Sequence, residues 1–229
     1  MASGSVINPG EDIYLGLDLS ATTDLCALVA VSANDGDRLA AWFWKPKALI
    51  EKHATRDRAP YERWMTEGHL EVAPGNDVDY ELVARKIAEL SVDYNILGVA
   101  YDRWRIDVLM KCFERIGVPA YYAANDDEGI RFVEWGQGYK DMAPAVDALE
   151  KAVVSRTLAH PGHPVLTWCF SNAVATLDPA GNRKLDKSKA RFRIDGAVAA
   201  TMAIGLKARD MPDEDEGDFE GFLNNPVSA

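Results

Sequence analysis

The sequence predicts an α/β fold in which a mixed central sheet is flanked by helices. Three apolar or alternating runs near the N-terminus, 13–20, 25–32 and 38–45, follow one another with short connections, as in an antiparallel three-strand meander. Farther along the chain, helical and strand patterns alternate, which is typical of parallel crossovers. With 229 residues, the chain fits one compact domain.

The individual elements can be assigned from the spacing of apolar residues. Helical or charged helix-compatible patterns cover 48–58, 79–92, 106–116, 144–158 and 194–208, whereas 61–67 belongs to a less regular region. Apolar runs predict further strands over 96–101, 119–123 and 164–170. Turn residues at 178–182 predict a β-hairpin inserted within 172–185. This order of strands and helices is that of the ribonuclease H-like folds.

The composition is ordinary for a soluble globular protein, with 48% hydrophobic and 27% charged residues. No run approaches the roughly 18–20 apolar residues of a membrane helix, so no membrane partner is expected. The first residues lack the basic start and apolar run of a signal peptide. Three cysteines, far apart and odd in number, argue against a disulfide scaffold or a four-cysteine zinc site and favour a reducing cytoplasm.

The net charge of −11 is unevenly distributed. Residues 210–229 carry seven acids and no bases, so we expect an acidic, disordered tail there. Residues 1–12 are expected to be a leader or disordered segment, and 13–209 the folded domain. An acidic protein does not coat nucleic acid by bulk charge, but it can bind DNA through a local basic strip and metal ions.

Three aspartates occupy positions that suggest chemistry. Asp18 lies within the first strand between two leucines, Asp102 ends the fourth strand, and Asp195 opens the last helix. Burying an aspartate inside an apolar strand is costly unless the carboxylate is paired or bound to a metal. In a ribonuclease H-like fold these three positions converge. We therefore predict one site that contains all three acids.

Carboxylates brought together repel one another, and a divalent cation removes that cost. Oxygen ligands without His or Cys favour Mg²⁺ or Mn²⁺ over Zn²⁺. Two ions about 3.5–4 Å apart would hold the attacking and leaving oxygens of a phosphodiester. Asp18, Asp102 and Asp195 are thus the candidate catalytic and metal-binding residues, for two ions. Taken singly, Asp102 could equally be a turn residue and Asp195 a helix N-cap.

Basic residues and one further acid surround these positions. The candidates for phosphate contact are Lys187, Lys189, Arg191 and Arg193 before Asp195, with Arg183 and Lys184 on the hairpin. The alternative is a solvated basic stretch. Asp24 either supports the metal site or closes a turn. Beside Asp102, we expect Trp104 to pack and its flanking arginines to be solvated.

Several segments of the sequence together resemble one family. These are 13–31, 68–80, 98–104 (GVAYDRW), 137–147, 164–172 and 187–205 (KSKARFRIDGAVAATMAIG). They resemble the C-terminal nuclease domain of the large terminase subunit of tailed bacteriophages, over almost all of the chain from Ile13 to Gly205. The resemblance implies a ribonuclease H/RuvC-like fold and a Mg²⁺- or Mn²⁺-dependent endonuclease that cuts concatemeric phage DNA in the host cytoplasm. The three family acids fall on Asp18, Asp102 and Asp195.

A complete large terminase also has an N-terminal ATPase motor. The sequence contains no G-x-x-x-x-G-K-[ST] phosphate loop, so we expect translocation to belong to a motor domain that this chain lacks. The resemblance implies three partners: double-stranded DNA, the portal and the small terminase subunit.

Alternatives to the nuclease remain open. One is a docking module for the portal or the small subunit with little activity alone. Another is a sugar-kinase-like phosphotransferase, because 16–23 (GLDLSATT) resembles a phosphate loop. Holliday-junction resolvases and transposases share the three-acid arrangement.

Overall fold

The computed structural model describes residues 7–20, 24–34, 36–125 and 127–211. Half of the expected leader and nearly all of the expected acidic tail lie outside these ranges. The helices are Ile50–Asp57 (α1), Tyr61–Thr66 (α2), Tyr80–Asp93 (α3), Ile106–Ile116 (α4), Tyr139–Val154 (α5), Pro164–Asn172 (α6) and Asp195–Asp210 (α7). A 3₁₀ turn at Lys47–Leu49 precedes α1.

A central mixed sheet organises the domain. Its strands are Asp12–Asp18 (β1), Cys26–Ser32 (β2), Asp37–Pro46 (β3), Glu71–Ala73 (β4), Asn95–Tyr101 (β5), Ala120–Tyr122 (β6), Ile130–Glu134 (β7) and Leu158–Ala159 (β8). The spatial order is β4-β3-β2-β1-β5-β7-β6, and β8 pairs with β3. The first three strands are antiparallel, whereas β5, β6 and β7 pair in parallel. The predicted meander with parallel strands is therefore confirmed.

Each face of the sheet covers its own hydrophobic core. Alternation along β1 sends Tyr14 to one face and Leu15 and Leu17 to the other, as the two-residue period of a strand requires. Helices α5, α6 and α7 pack on the first face, and α3 and α4 on the second. Helix α7 is buried along most of its length, so its packing holds its first residue, Asp195, in place.

A glycine allows α7 to approach the sheet closely. A Cβ added at Gly16 would lie 1.9 Å from the backbone oxygen of Ala199 and 2.8 Å from the nitrogen of Ala203. Any larger residue would separate β1 from α7. The strand and helix that carry Asp18 and Asp195 are thereby held together by backbone packing.

Three strands were not predicted and one predicted strand is wrong. Residues 164–170 form helix α6, which begins with Pro164 and is capped by the His163 ring accepting from the amide of Leu166. A short apolar run fits a buried helix as well as a strand, which explains the error. Strands β4, β7 and β8 were missed, and β7 inserts between β5 and β6.

The hairpin expected within 172–185 is present. Its strands, Ala175–Leu177 (β9) and Arg183–Leu185 (β10), pair only with each other in a two-stranded sheet. The loop after β10 leads directly into α7. Within the described ranges, no helix is both long and apolar enough to cross a membrane.

Candidate active site

The three predicted acids lie at one end of the sheet. Asp18 is the last residue of β1, Asp102 follows the end of β5, and Asp195 is the first residue of α7. Strands β1 and β5 are parallel neighbours with Leu17 opposite Tyr101, so their next residues, Asp18 and Asp102, emerge side by side. Asp18 is 4% exposed and Asp195 1%, whereas Asp102 is half-buried.

A lysine joins two of these acids. The Nζ of Lys187 lies 2.6 Å from Oδ2 of Asp18 and 2.9 Å from Oδ1 of Asp195. At this distance the ammonium and the Asp18 carboxylate attract each other strongly. Lys187 reaches the pair from the surface, because its side chain is 44% exposed. Two buried carboxylates therefore converge on one cation.

The electrostatics of Asp18 reflect this crowding. Burial raises its pKa to about 7; Lys187 opposes the rise, and the neighbouring charges of Asp195 and Asp102 add to it. The pKa of Lys187 moves upward: burial of the ammonium alone would lower it, but the two carboxylates outweigh that effect. A cation beside Asp18 therefore favours its ionised form against the effects of burial and of the neighbouring acids.

Asp195 is oriented by the start of β2. The backbone amide of Leu25 donates to Oδ2 of Asp195 at 3.3 Å, which leaves Oδ1 for Lys187. Its position in the first turn of α7 also places the carboxylate at the positive end of the helix dipole. The neighbouring Asp24 forms an ion pair with Arg193 at the entrance to α7.

Arg193 belongs to a wider buried network that the sequence did not indicate. Its Nε lies 3.6 Å from Oδ1 of Asp57, a carboxylate that also accepts from Arg56 and from the hydroxyl of Tyr61. Burial opposes ionisation, yet the hydrogen bonds from Arg56 and Tyr61 hold the pKa of Asp57 below its usual value. Asp57 therefore fixes Arg193, and with it the segment before Asp195.

Lys45 is a second charged residue that sequence reasoning missed. It is fully buried, with Nζ 3.5 Å from the backbone oxygen of Asp24 and 4.9 Å from the centre of the Tyr61 ring. Burial lowers its pKa to about 8. The sequence signal that could have identified Lys45 was a lysine at the end of an apolar strand, beside Trp42 and Trp44.

Asp102 is adjacent to the pair but separate from it. Its Oδ1 accepts from the amide of Trp104 at 3.2 Å. Among the residues that the structure describes, no three His, Cys, Asp or Glu side chains lie close enough together to hold one ion. The structure thus brings Asp18 and Asp195 into direct contact with one cation and leaves Asp102 beside them.

The loop after Asp102 corrects the expectation for Trp104. This side chain is 61% exposed instead of packed, and both flanking arginines are exposed. Arg105 has a positive φ of 56°, a strained conformation for an arginine, and its guanidinium lies 5.9 Å from the Trp104 ring. An aromatic side chain is therefore presented to solvent two residues from a candidate metal ligand.

The predicted phosphate contacts fall into two groups. Three of the six form ion pairs within the domain: Lys187 and Arg193 as described, and Arg183 with Asp147 and Glu150 at 2.5 and 2.7 Å. The other three are less constrained: Lys189 and Arg191 are exposed, and Lys184 lies 5.0 Å from the Tyr139 ring centre. Asp24, predicted either to support the metal site or to close a turn, forms its ion pair with Arg193.

The donor set fits a hard divalent cation. Asp18 and Asp195 already share one positive group at the distances of strong ion pairs, and oxygen donors suit Mg²⁺ or Mn²⁺. The carboxylate of Asp102 would complete the set by turning from the Trp104 amide toward Asp18.

Comparisons with known proteins identify the family of the chain. Residues 6–210 match the family described as "Terminase large subunit, endonuclease domain". The chain is 46% identical over 224 residues to the terminase large subunit of Enterobacteria phage HK97, covering 97% of this chain and 42% of that protein. It is 28% identical over 218 residues to YmfN of Escherichia coli K12, covering 86% and 43% respectively. The chain thus spans about two-fifths of these relatives' length.

Solved structures show the same fold. The crystal structure of the HK97 large terminase superposes with a TM-score of 0.78 at 46% identity, over 87% of this chain and 40% of that one. The large terminase nuclease of thermophilic phage G20c superposes with a TM-score of 0.54 at 13% identity, over 87% of each chain. The fold is therefore ribonuclease H-like, and the chain belongs to the endonuclease-domain family of the terminase large subunit.

Proposed function

We propose that this domain is a metal-dependent DNA endonuclease that cuts concatemeric phage DNA during genome packaging. One observation carries the proposal: two buried carboxylates, Asp18 and Asp195, converge on a single cation within 3 Å at the end of the sheet. Membership of the terminase nuclease family supports hydrolysis of DNA over the phosphotransferase alternative.

Asp18, Asp195 and Asp102 would hold two Mg²⁺ or Mn²⁺ ions. The G20c terminase nuclease has been solved with bound magnesium and with bound cobalt, which supports a divalent cation in this fold. Ions held by these acids would supply an activated water and would neutralise the charge that develops on the leaving 3′ oxygen. The domain's own contribution is to hold the acids rigidly: Leu25 orients Asp195, and Gly16 keeps β1 against α7.

The duplex would lie across the exposed basic residues around the acids. Lys189 and Arg191 precede Asp195, and Arg103 and Arg105 follow Asp102, so both sides of the site carry positive charge. Trp104, between these arginines, is placed to contact a sugar or base near the cut. Trp104→Ala should weaken duplex binding in fluorescence anisotropy, whereas Trp104→Phe, which retains a ring, should bind more tightly than the alanine variant.

We also propose the partners with which this domain acts during packaging. The matched regions cover only about two-fifths of these relatives, and we infer that an ATPase motor domain supplies DNA translocation. The portal and the small terminase subunit are the proposed partners, in the host cytoplasm.

Cleavage of supercoiled plasmid tests the proposal. We expect nicking with Mg²⁺ or Mn²⁺, none with EDTA, and a loss of at least about 100-fold in Asp18→Asn, Asp102→Asn and Asp195→Asn. Asp93→Asn, an exposed aspartate at the end of α3, is the matched control and should retain full activity. Full cleavage by the three site variants contradicts the proposal. Absence of cleavage by the folded wild-type domain under either metal also contradicts it, and favours the docking-module alternative.

A further inference from the structure

Lys187 occupies the position that a metal ion would need. Its Nζ contacts Oδ2 of Asp18 and Oδ1 of Asp195 at 2.6 and 2.9 Å, and these two side chains are only 6% and 1% exposed. Mg²⁺ binds oxygen ligands at about 2.0–2.1 Å. The same two oxygens cannot satisfy both cations, and an ammonium beside a divalent ion in a buried site is strongly repelled. Metal binding therefore requires Lys187 to leave.

The position of Lys187 permits this movement. It lies in the loop between β10 and α7, not in a helix or strand, and its side chain is 44% exposed. A lysine is a point charge on a flexible four-carbon stem, so Nζ can swing out without moving the backbone. By contrast, Asp18 and Asp195 are fixed on β1 and α7, and Leu25 also holds Asp195. The lysine is thus the movable member of the cluster.

Released Lys187 would need another anion. The neighbouring Lys189 and Arg191 are exposed on the same segment, where a DNA phosphate would be bound. A DNA phosphate would hold the released ammonium, and a metal would displace it. Both ligands therefore favour the state in which Lys187 has left the two carboxylates. Each ligand then strengthens the binding of the other, because coupling between two binding sites is reciprocal.

We propose that Lys187 is a competing cation. In the absence of DNA its ammonium occupies the carboxylates of Asp18 and Asp195, so that metal binding depends on bound DNA. This inference rests on the proposed nuclease function. It assigns Lys187 a regulatory role at the metal site in addition to the phosphate contact predicted from sequence. A packaging nuclease with such a lysine binds metal only weakly until a duplex reaches the site.

Mn²⁺ binding, followed by the electron paramagnetic resonance signal of the free ion, tests the proposal without using cleavage. We expect Lys187→Met to bind Mn²⁺ at least about tenfold more tightly than wild type, within the usual range of coupling between sites. Lys111→Met, an exposed lysine on α4, is the matched control and should bind Mn²⁺ like wild type. A short phosphorothioate duplex should tighten Mn²⁺ binding to wild type and have a smaller effect on Lys187→Met.

A measurement on the wild-type protein covers the case in which Lys187→Met does not fold. Acetylation by a succinimidyl ester, quantified by mass spectrometry, should modify Lys187 several-fold faster with saturating Mg²⁺ than without, whereas Lys189 should not change. Equal Mn²⁺ affinity of wild type and Lys187→Met, or Lys187 reactivity independent of Mg²⁺, overturns the competing-cation proposal alone. Failure of both folded proteins to bind Mn²⁺, with or without duplex, overturns the metal site on which the proposed function itself depends.

Discussion

Replacement of Gly16 by alanine should separate the two elements that carry Asp18 and Asp195. The new Cβ would lie 1.9 Å from the Ala199 oxygen, about 1.5 Å inside the 3.4 Å at which ordinary van der Waals contact begins. The obstructing atoms belong to the backbone of α7, so no side-chain rotation relieves the overlap. Overpacking costs about 1–3 kcal/mol when neighbours can adjust. Here we expect a loss of about 3 kcal/mol or more in the free energy of unfolding.

Urea denaturation of wild type and Gly16→Ala measures this loss. Gly98→Ala is the matched control, because Gly98 lies on the adjacent strand β5 and its added Cβ would meet the flexible end of Leu206 at 3.2 Å. That variant should lose less than about 1 kcal/mol, since alanine also reduces the entropy of the unfolded chain. Metal-dependent nicking should fall further in Gly16→Ala than in Gly98→Ala. Equal stabilities of the two variants would refute the argument from backbone contact.

The remaining predictions concern groups buried near the site. Asp57→Ala leaves the buried Tyr61 hydroxyl without its acceptor and removes one of the two carboxylates that pair with Arg193, so it should cost about 1–3 kcal/mol in urea denaturation. Glu67→Ala, which removes a surface ion pair, should cost less than about 1 kcal/mol; equal losses would contradict the role of Asp57 in this network. Burial, with a smaller effect of nearby His69, lowers the pKa of His163 from 6.5 to about 4. Between pH 6.5 and pH 4 the unfolded chain therefore binds a proton at His163 that the folded chain does not bind. Over that interval the free energy of unfolding of wild type should fall by up to about 3 kcal/mol relative to that of His163→Asn. Parallel stability curves would show that His163 is not responsible. A thiol reagent should label the native protein far more slowly than the urea-unfolded protein, and fast native labelling would contradict the burial of the thiols. The three thiols concerned are Cys26, Cys112 and Cys169.

The sequence was sufficient for the frame of the fold. The three-strand meander, the hairpin and α7 follow from apolar periodicity and turn residues, which are local signals. Strand β7 was missed because its five residues, Ile130–Glu134, become a strand only by pairing between β5 and β6. Helix α6 was assigned as a strand because its apolar run lacks a helical period, whereas its Pro164 start and His163 cap determine the helix.

The candidate site shows the same difference between local signals, which the sequence contains, and long-range contacts, which it does not. Asp18 could be identified from sequence because a carboxylate within an apolar strand is costly by itself. The partner of that carboxylate could not be identified, since Lys187 reaches it across 169 positions of chain through the packing of β1 against α7. The link from Asp57 to Arg193 is equally long-range. Sequence reasoning treated the basic residues before Asp195 as one strip, and the structure separates the ion-paired Lys187 and Arg193 from the exposed Lys189 and Arg191.

Anomalous diffraction from crystals of the domain soaked in Mn²⁺ and a short duplex locates the metal relative to the three acids and Lys187. We expect manganese peaks between Asp18 and Asp195, with the Asp102 carboxylate turned toward them and the Nζ of Lys187 displaced from both carboxylates. Manganese bound only elsewhere, or Lys187 still bridging Asp18 and Asp195 in the presence of Mn²⁺ and DNA, would contradict this expectation.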